Sequence, residues 1–279
     1  MIAEFRHALR RLRGQTVGWA VGVALYGLLM AFFYPSVGQI ENLDEFLSFY
    51  PEEMYAFFEN MRALDTPMGY LDVYFFSLMH LIMGILAIGS GASLAVGDEE
   101  RGTLDLVLAH PVSRTSLFWG RLLALGTSLA IIQVAGWLSW ALPAGRVGFE
   151  LSWLQLLRPF IPLFVVLLLF AAIALLLSMV MPTARIAAMF TGALLVGNFL
   201  LSGLANIIDG LQPVMNFTPL YYYQGGTAVE GLKVNWLAGL LTASLLLAAG
   251  AWLLFLRRDI RVSGERSWKL PGLRERTRA

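Results

Sequence analysis

Residues 160–181 read FIPLFVVLLLFAAIALLLSMVM, twenty-two consecutive positions without a charged side chain. An α-helix of about 20 apolar residues matches the roughly 30 Å hydrocarbon core of a bilayer. Backbone amides find no water there, so a segment this apolar has to satisfy them internally, as a helix does. The stretch therefore predicts a membrane-spanning helix, and the same pattern recurs in five other places. The six predicted spans are residues 17–34, 74–96, 117–142, 160–181, 186–208 and 236–256.

Composition excludes several other classes of protein. Hydrophobic residues make up 58% of the 279 positions and charged residues only 14%, which is too apolar for a soluble domain. The net charge of +1 offers no basic field for nucleic acid. Cysteine is absent, which excludes disulfides and thiolate metal sites. The short alternating segments of a membrane β-barrel are not seen. The predicted fold class is therefore an all-α membrane protein.

The distribution of Lys and Arg predicts the orientation of the spans. If the spans alternate in direction, sixteen of the twenty basic residues fall on one side of the membrane. Only Arg62, Arg146, Arg158 and Lys233 fall on the other. Because basic residues accumulate on the cytoplasmic side, we expect both termini in the cytoplasm.

The predicted organisation has three parts. An N-terminal helix at residues 1–14 precedes a six-helix transmembrane domain at 15–258, and a basic cytoplasmic tail follows at 259–279. The domain contains a long, acidic outer loop at 35–72. Apolar residues with helical spacing predict two short surface helices in that loop: Leu43, Phe46, Leu47 and Tyr50, then Met54, Phe57, Phe58 and Met61.

The first fourteen residues predict an amphipathic helix on the inner leaflet. Its two faces carry Ile2, Phe5, Leu9 and Leu12 on one side, and Arg6, Arg10 and Arg13 on the other. We expect Gly14 to end this helix before the first span. A basic flank that only sets topology is the alternative. A cleaved signal peptide is disfavoured, because the apolar stretch continues to Tyr34 without a small-residue cleavage site.

Two further patterns each leave two interpretations open. The run Tyr221–Tyr222–Tyr223 before the last span suits an aromatic belt at the membrane boundary, with a substrate site as the alternative. Small residues four apart let helices approach closely, either within one chain or at a dimer seam. They are Gly14, Gly18 and Gly22; Ala87, Gly91 and Ala95; and Gly120, Ala124 and Ser128.

The segment between the second and third spans, residues 97–114, reads GDEERGTLDLVLAHPVSR. The charge distribution places it in the cytoplasm. Asp98, Glu99 and Glu100 stand at the start of a short helix, where the helix dipole favours anions. Pro111 would stop that helix, and Ser113 has the side chain of an N-cap for the next one. A short, stiff, charged helix held between two spans can transmit force to both.

The pattern E-x-x-G-T-L-x-L-x-L-x-x-P-V-S-R, from Glu99 to Arg114, resembles the signature of ABC-2 type transporter permeases. Residues 206–223 and the sequence FLRRDI at 255–260 are similar to other parts of the same family, so the resemblance covers nearly the whole chain. It implies an ABC-2, type V exporter-like transmembrane domain. The implied function is that of a permease subunit of an ATP-driven exporter in the plasma membrane, the bacterial inner membrane.

The resemblance also implies roles for individual residues. In this family the loop between spans two and three docks on the ATP-binding subunit as a coupling helix. Within residues 97–116 that role would fall on Glu99, Glu100, Gly102, Thr103, Leu104, Leu106, Leu108, Pro111 and Arg114. The N-terminal helix would be the interface helix, through Phe5, Arg6, Leu9, Arg10 and Arg13. Spans two and five would face the substrate path, which makes His80, Asn198 and Asn206 candidates. Hydrogen bonding between helices is the alternative for each.

Partners and cofactors follow from the same resemblance. No Gly-x-x-x-x-Gly-Lys-Ser/Thr loop occurs, so we expect ATP and Mg on a separate ATP-binding subunit, in two copies, and no enzymatic site in this chain. A second permease chain, the same or a related one, would complete the transporter. The three histidines, His7, His80 and His110, are too dispersed to predict a metal site.

Two other functions compete with the exporter. An ion-driven secondary transporter usually shows inverted repeats and broken helices, and no clear repeat is found here. A non-transporting membrane scaffold is the second. Association with an ATPase would separate the exporter from both, whereas the identity of the cargo lies beyond the sequence.

Overall fold

The computed structural model describes residues 1–37, 47–100 and 113–257, without the side chains of Glu52, Glu59, Asp98 and Glu99. Within these ranges all regular structure is helical. Six helices are long and apolar enough to cross a membrane, which confirms the predicted number of spans. They are α1 (Ile2–Val37), α2 (Ser77–Glu100), α3 (Arg114–Ala141), α4 (Phe160–Val180), α5 (Ala184–Ala205) and α6 (Val234–Arg257).

Helix α4 forms the centre of the bundle. It packs against α2 and α6 and also contacts α3 and α5. Its most apolar stretch is 67% buried, more than that of any other long helix described. Lipid tails are as apolar as these side chains, so close packing rather than transfer out of water stabilises the contacts. Large, fully buried aromatic residues fill the space between helices, among them Phe118, Trp140 and Phe170.

Helix α1 runs through Gly14 without interruption, so the prediction that a separate helix ends there is wrong. Helix α1 contacts α3 on both sides of this glycine. Thr16 Oγ1 lies 2.6 Å from Ser128 Oγ, and the absence of a side chain at Gly120 lets α3 approach Phe5. This packing outweighs the cost of a glycine inside a helix, about 1 kcal/mol.

The length of α1 has a consequence for its first turns. Its 36 residues, at 1.5 Å per residue, span about 54 Å, whereas the hydrocarbon core of a bilayer is about 30 Å thick. The helix therefore extends well beyond the apolar layer. Arg6, Arg10 and Arg13, in its first turns, are all exposed, and a charged side chain is costly inside the apolar layer.

Two of the three small-residue stripes pack within the chain. Gly91 of α2 lies against the backbone of Ala171 in α4, and the third stripe carries the contact between α3 and α1. In contrast, the structure leaves open space where a Cβ on Gly18 or Gly22 would stand. These two glycines lie along an apolar groove of about 560 Å³ between α1 and α2. Packing within one chain therefore explains the second and third stripes.

Two connecting segments, residues 51–72 and 206–233, cover one end of the bundle, and we call them the cap. They contain short helical pieces: Glu52–Phe57, Glu59–Ala63 and Pro67–Leu71, then Asp209–Leu211, Gln212–Met215, Pro219–Tyr222 and Gly225–Val229. The first two pieces correspond to the second predicted surface helix. Residues 43 and 46, predicted for the first one, lie outside the described residues. Helical structure resumes at Pro67, earlier than the predicted start of span two at residue 74.

Successive long helices run in opposite directions. Helices α2, α4 and α6 begin beneath the cap, and α1, α3 and α5 end there. At the opposite end, Glu100 of α2 contacts the first residue of α5, and Arg114 of α3 contacts the last turn of α6. Glu100 and Arg114, the two predicted coupling residues whose side chains are described, therefore lie at the end of the bundle opposite the cap.

Candidate functional site

Beneath the cap lies a cavity of about 840 Å³, which we call the cap cavity. The starts of α2 and α6, the end of α5 and both cap segments surround it. Its lining includes His80, Phe199, Asn206, Tyr223 and Trp236. The volume falls within the range of about 300–1,000 Å³ that is typical of small-molecule pockets. Two of the three residues predicted for the substrate path thus share one cavity.

Asp72, in the lining of the cap cavity, joins the two cap segments. Its Oδ1 accepts a hydrogen bond from Gly226 N at 2.5 Å, and its Oδ2 accepts one from Asn60 Nδ2 at 2.6 Å. Short bonds to a carboxylate are charge-assisted and stronger than neutral ones. They offset the cost of burying the acidic side chain, which is 9% exposed. Asp72 therefore holds residues 206–233 over the start of α2.

Gly225 and Gly226 allow the cap to approach Asp72 this closely. Gly225 has φ +50, a left-handed conformation that glycine adopts without strain. A Cβ on Gly226 would stand 2.8 Å from Asp72 Cα, which is closer than real Cβ atoms come. A side chain at Gly226 would therefore push the two cap segments apart at Asp72.

His80 reaches the cap cavity from the first turn of α2 and is 4% exposed. Its ring centroid lies 5.1 Å from that of Tyr223 and 5.7 Å from that of Phe199. Its Nδ1 lies 3.4 Å from Phe76 O, while Nε2 has no hydrogen-bond partner among the described residues. Most buried polar side-chain atoms in proteins are paired. The Nε2 of His80 is therefore a buried polar atom that is unpaired among the described residues.

The two asparagines predicted for the substrate path hold the cap on α5. Asn198 Oδ1 accepts a hydrogen bond from Leu220 N at 2.9 Å. Asn206, at the end of α5, donates from Nδ2 to Ala56 O at 2.8 Å. Each asparagine therefore makes a hydrogen bond within the protein, which is the kind of role stated as the alternative to a substrate contact. The partner is the cap in both cases, not another long helix. Asn206 also lines the cavity, whereas Asn198 faces the backbone of the cap.

The tyrosine run is divided between two environments. Tyr221 and Tyr222 pack on Trp236, each with 5.5 Å between ring centroids. The Nζ atom of Lys233 lies 3.9 Å from the centroid of the same indole, in a cation–π contact. This cluster has the amphipathic character of an aromatic belt.

Tyr223, by contrast, turns toward α2. Its hydroxyl donates a hydrogen bond to Phe76 O at 3.1 Å. Phe76 ends a π-helical turn that begins at Asp72, a geometry found frequently at functional sites. Burial raises the pKa of Tyr223 well above its usual range, and the Asp72 carboxylate adds to this. The hydroxyl therefore stays protonated and keeps its role as donor.

At the opposite end of the bundle, three hydrogen bonds surround the predicted coupling segment. Glu100 Oε1 accepts from Ala184 N at 2.6 Å, which ties the end of α2 to the start of α5. Arg114 donates to Leu256 O at 3.3 Å, which ties the start of α3 to the end of α6. Farther along α3, Arg121 donates to the carbonyl of Leu94 in α2 at 3.0 Å. Both ends of the segment are thus bonded to other long helices.

Most of the predicted coupling residues lie beyond the part of the chain that the structure describes. They are Gly102, Thr103, Leu104, Leu106, Leu108, Pro111 and the side chain of Glu99. The predicted interface residues are described. Phe5 and Leu9 are partly buried in the region where α1 meets α3, and Arg6, Arg10 and Arg13 are exposed. Ile2, which was predicted for the same apolar face as Phe5 and Leu9, is 68% exposed, and all of these residues belong to a helix that is continuous with the first span.

Two residues of the cap end were missed at the level of sequence. Asp72 counted only as one acid of the outer loop, although its partner Gly226 is 154 positions away. Arg158 counted only as an outer basic residue. It donates a hydrogen bond to Val229 O at 2.9 Å and so anchors the short helix Gly225–Val229, which also contains Gly226. The Gly225–Gly226 pair was the one local signal of a close backbone approach.

One residue within a span is also notable. Gln133 of α3 is 5% exposed, and neither of its amide atoms has a hydrogen-bond partner among the described residues. Within those same residues, no three His, Asp or Glu side chains are grouped as a metal site would require. The cap cavity and the bonded ends of the coupling segment are therefore the two features with functional character.

Comparison with known proteins identifies a family. A family model described as ABC-2 family transporter protein matches residues 3–260, which is most of the chain. The match includes all six long helices, the cap and the segment between α2 and α3. No curated protein matches the chain.

Proposed function

Because this chain belongs to the ABC-2 family of transporter proteins, we propose that it is the permease subunit of an ATP-driven exporter. It would move its substrate across the plasma membrane, the bacterial inner membrane, with ATP hydrolysed by a separate subunit. Permeases of this family are multi-pass membrane subunits and are generally not catalytic themselves. The six long apolar helices agree with that role.

The observation that carries the proposal is the bonding at both ends of the coupling segment. Glu100 is bonded to the start of α5, and Arg114 is bonded to the end of α6. A push on residues 97–116 would therefore act on α2, α3, α5 and α6 together. A loop that only connected two helices would not require such contacts.

The proposed complex has two permease chains, the same or related, and two ATP-binding subunits that hold ATP and Mg. The ATP-binding subunit would contact Glu99, Gly102–Leu104 and their neighbours up to Arg114, with the basic first turns of α1 beside it. This arrangement places both termini and the coupling segment in the cytoplasm, in agreement with the bias of basic residues. The cap then faces outward.

We propose that transport alternates between two states of the bundle. ATP binding and hydrolysis in the partner would favour different states, since a ligand shifts an equilibrium only through its differential affinity. The cap cavity, with His80 and Asn206, would form the outer part of the substrate path. Glu100 and Arg114 lie at the end of the bundle opposite the cap cavity, so the long helices would carry the signal between them.

Affinity purification in mild detergent tests the partnership directly. A tagged chain should bring down a protein with a Gly-x-x-x-x-Gly-Lys-Ser/Thr loop. The variant Glu99→Lys/Glu100→Lys should reach the membrane yet lose stimulation of the partner's ATPase and lose transport. Glu53→Lys, an exposed acid in the cap, is the matched control and should retain both. Normal stimulation by the double variant would contradict the coupling assignment.

A further inference from the structure

One side of α1 carries arginines at its start and apolar side chains farther along. Residues at intervals of three or four share one side of a continuous helix, and this side carries Arg6, Arg10, Arg13, Val17 and Val21. We call these five residues the arginine–valine stripe. All three arginines are exposed, and the two valines are 60% and 51% exposed. The stripe is therefore not covered by any other described part of the chain.

The dimensions of the stripe match those of a phospholipid. Helix α1 is long and apolar enough to cross a membrane, and acyl chains are as apolar as its exposed valines. Arg6 and Arg13 are seven residues apart, which is about 10 Å along the axis. The headgroup region on each side of a bilayer is roughly 5–8 Å thick. Long arginine side chains turn toward such a layer while their stems lie along apolar surface. All three guanidinium groups can therefore reach headgroups whose chains lie against the valines.

The arginines of the stripe have no anionic partner in the described part of the chain. None of the three takes part in a hydrogen bond or an ion pair there. Glu4, the one acidic residue of α1, stands against Gly120 of α3 instead. A charged side chain close to the apolar layer is costly unless it is paired. The planar guanidinium group forms two parallel hydrogen bonds with a phosphate, so the phosphate of a lipid is a suitable partner.

We propose that the arginine–valine stripe binds anionic phospholipids. The headgroup phosphate lies at Arg6, Arg10 and Arg13, and an acyl chain lies along Val17 and Val21. A lipid with a net negative charge is preferred over a zwitterionic one, because each arginine near the membrane surface attracts it. This inference goes beyond the proposed exporter function, since the binding requires this chain alone.

Arg11 separates this surface from a general attraction between a basic protein and an anionic membrane. Consecutive residues of an α-helix are about 100° apart around the axis, so Arg11 lies outside the stripe. It stands one turn before Gln15, which lines the groove between α1 and α2. Arg11 is also exposed, and it lies at nearly the same depth as Arg10. Its neutralisation therefore removes the same charge from another side of the helix.

Quenching of a fluorophore on the stripe measures which lipid collects there. The chain has no cysteine, so bimane can be attached at Val21→Cys alone. The labelled chain would be placed in phosphatidylcholine nanodiscs that contain doxyl-labelled phosphatidylglycerol or doxyl-labelled phosphatidylcholine. We expect phosphatidylglycerol to be enriched about fivefold or more at this position. Leu245→Cys, an exposed position on α6, is the control and should show no preference. Equal quenching by the two lipids at Val21→Cys would overturn the proposal. Quenching by neither would overturn it too, since another chain would then cover the stripe.

Substitutions in the Val21→Cys background test the arginines. The triple variant Arg6→Gln/Arg10→Gln/Arg13→Gln should abolish the preference for phosphatidylglycerol. Arg10→Gln alone should reduce it about twofold or more, whereas the matched control Arg11→Gln should leave it unchanged. An unchanged preference in the triple variant would overturn the role of the arginines. Equal reductions by Arg10→Gln and Arg11→Gln would indicate a diffuse attraction and would overturn the stripe as the binding surface.

A second triple variant keeps the test decisive if the glutamine variant fails to fold. Replacement of the same three arginines by lysine keeps the charges and should retain more than half of the preference for phosphatidylglycerol. Complete loss in the lysine variant would show that charge does not recruit the lipid and would overturn the proposal. These assays contain no ATPase, so absence of a lipid preference refutes this inference alone. Failure of the chain to bring down an ATP-binding subunit would refute the exporter function alone.

Discussion

Glu100 Oε1 accepts a hydrogen bond from Ala184 N at 2.6 Å, so the last residue of α2 caps the first residue of α5. The first N–H groups of a helix lack partners within it, and the helix dipole favours an anion there. Thr183 Oγ1 caps a neighbouring amide, Ile186 N, at 3.2 Å. Of these two caps, only Glu100 links α5 to the start of the coupling segment.

Replacement of Glu100 should therefore affect both stability and coupling. We expect Glu100→Ala to reduce the free energy of unfolding by about 1 kcal/mol, because it removes a cap and an anion. Glu100→Gln should cost less, since the amide oxygen still accepts a hydrogen bond. The apparent melting temperature in detergent measures both effects. Thr183→Ala is the matched control, with a similar loss of stability but a smaller loss of ATPase stimulation. Equal coupling defects in Glu100→Ala and Thr183→Ala would refute transmission through Glu100.

The contact between Asp72 and Gly226 provides a second prediction. Gly226→Ala should destabilise the cap by about 1–3 kcal/mol, since the new Cβ overlaps Asp72. Gly231→Ala, in the same segment but with open space at its Cβ, should be close to neutral. Limited proteolysis of residues 206–233 and the melting temperature would both report the difference. Equal effects of the two variants would show that the close approach of residue 226 to Asp72 does not require a glycine.

The bundle could be predicted from sequence because each span is specified locally. Residues 160–181 predict a membrane-spanning helix by apolar length alone, and the structure shows that this helix is α4, at the centre of the bundle. Gly14 illustrates where local rules fail. Its low helix propensity predicts an end, but contacts made by Phe5 and Thr16 with α3 carry α1 through it. Whether a helix continues through a glycine is decided by packing between segments that are distant in sequence. The helix propensity of a single residue carries no information about that packing.

The cap cavity could be predicted only in part. His80, Asn198 and Asn206 are candidates because the family resemblance implies that spans two and five face the substrate path, and polar side chains within spans usually face protein or a cavity. Which of them faces the cavity depends on the cap, and the cap is placed by bonds such as that from Gly226 N to Asp72. These partners are 154 residues apart and carry no shared pattern in the sequence. The role of Asp72 therefore required the structure.

The orientation of the bundle gives a third prediction. The chain has no cysteine, so single-cysteine variants report one position each. In intact cells, Glu53→Cys and Thr227→Cys in the cap should react with a membrane-impermeant maleimide. His7→Cys, near the start of α1, should react only after permeabilisation. This follows from the excess of basic residues on the His7 side. Labelling of His7→Cys in intact cells would reverse the orientation and remove the basis for cytoplasmic coupling.

Gln133 leads to the last prediction, which concerns stability. Its amide is buried in α3 with neither polar atom paired among the described residues, a costly arrangement in a low-dielectric interior. Gln133→Met, of similar volume, should raise the free energy of unfolding by about 1 kcal/mol, seen as a higher melting temperature.

Gln155→Met provides the contrast for this test. Gln155 Oε1 accepts from Ser152 N at 2.9 Å in a capping box, so the same substitution should destabilise the chain there. If Gln133→Met instead lowers the melting temperature, the Gln133 amide is paired in the folded protein and the stabilisation argument fails. If Gln133→Met is more stable but transport falls, the buried amide is required for transport although it lowers the stability of the protein. In that case the amide bonds to a group that is present only during the transport cycle.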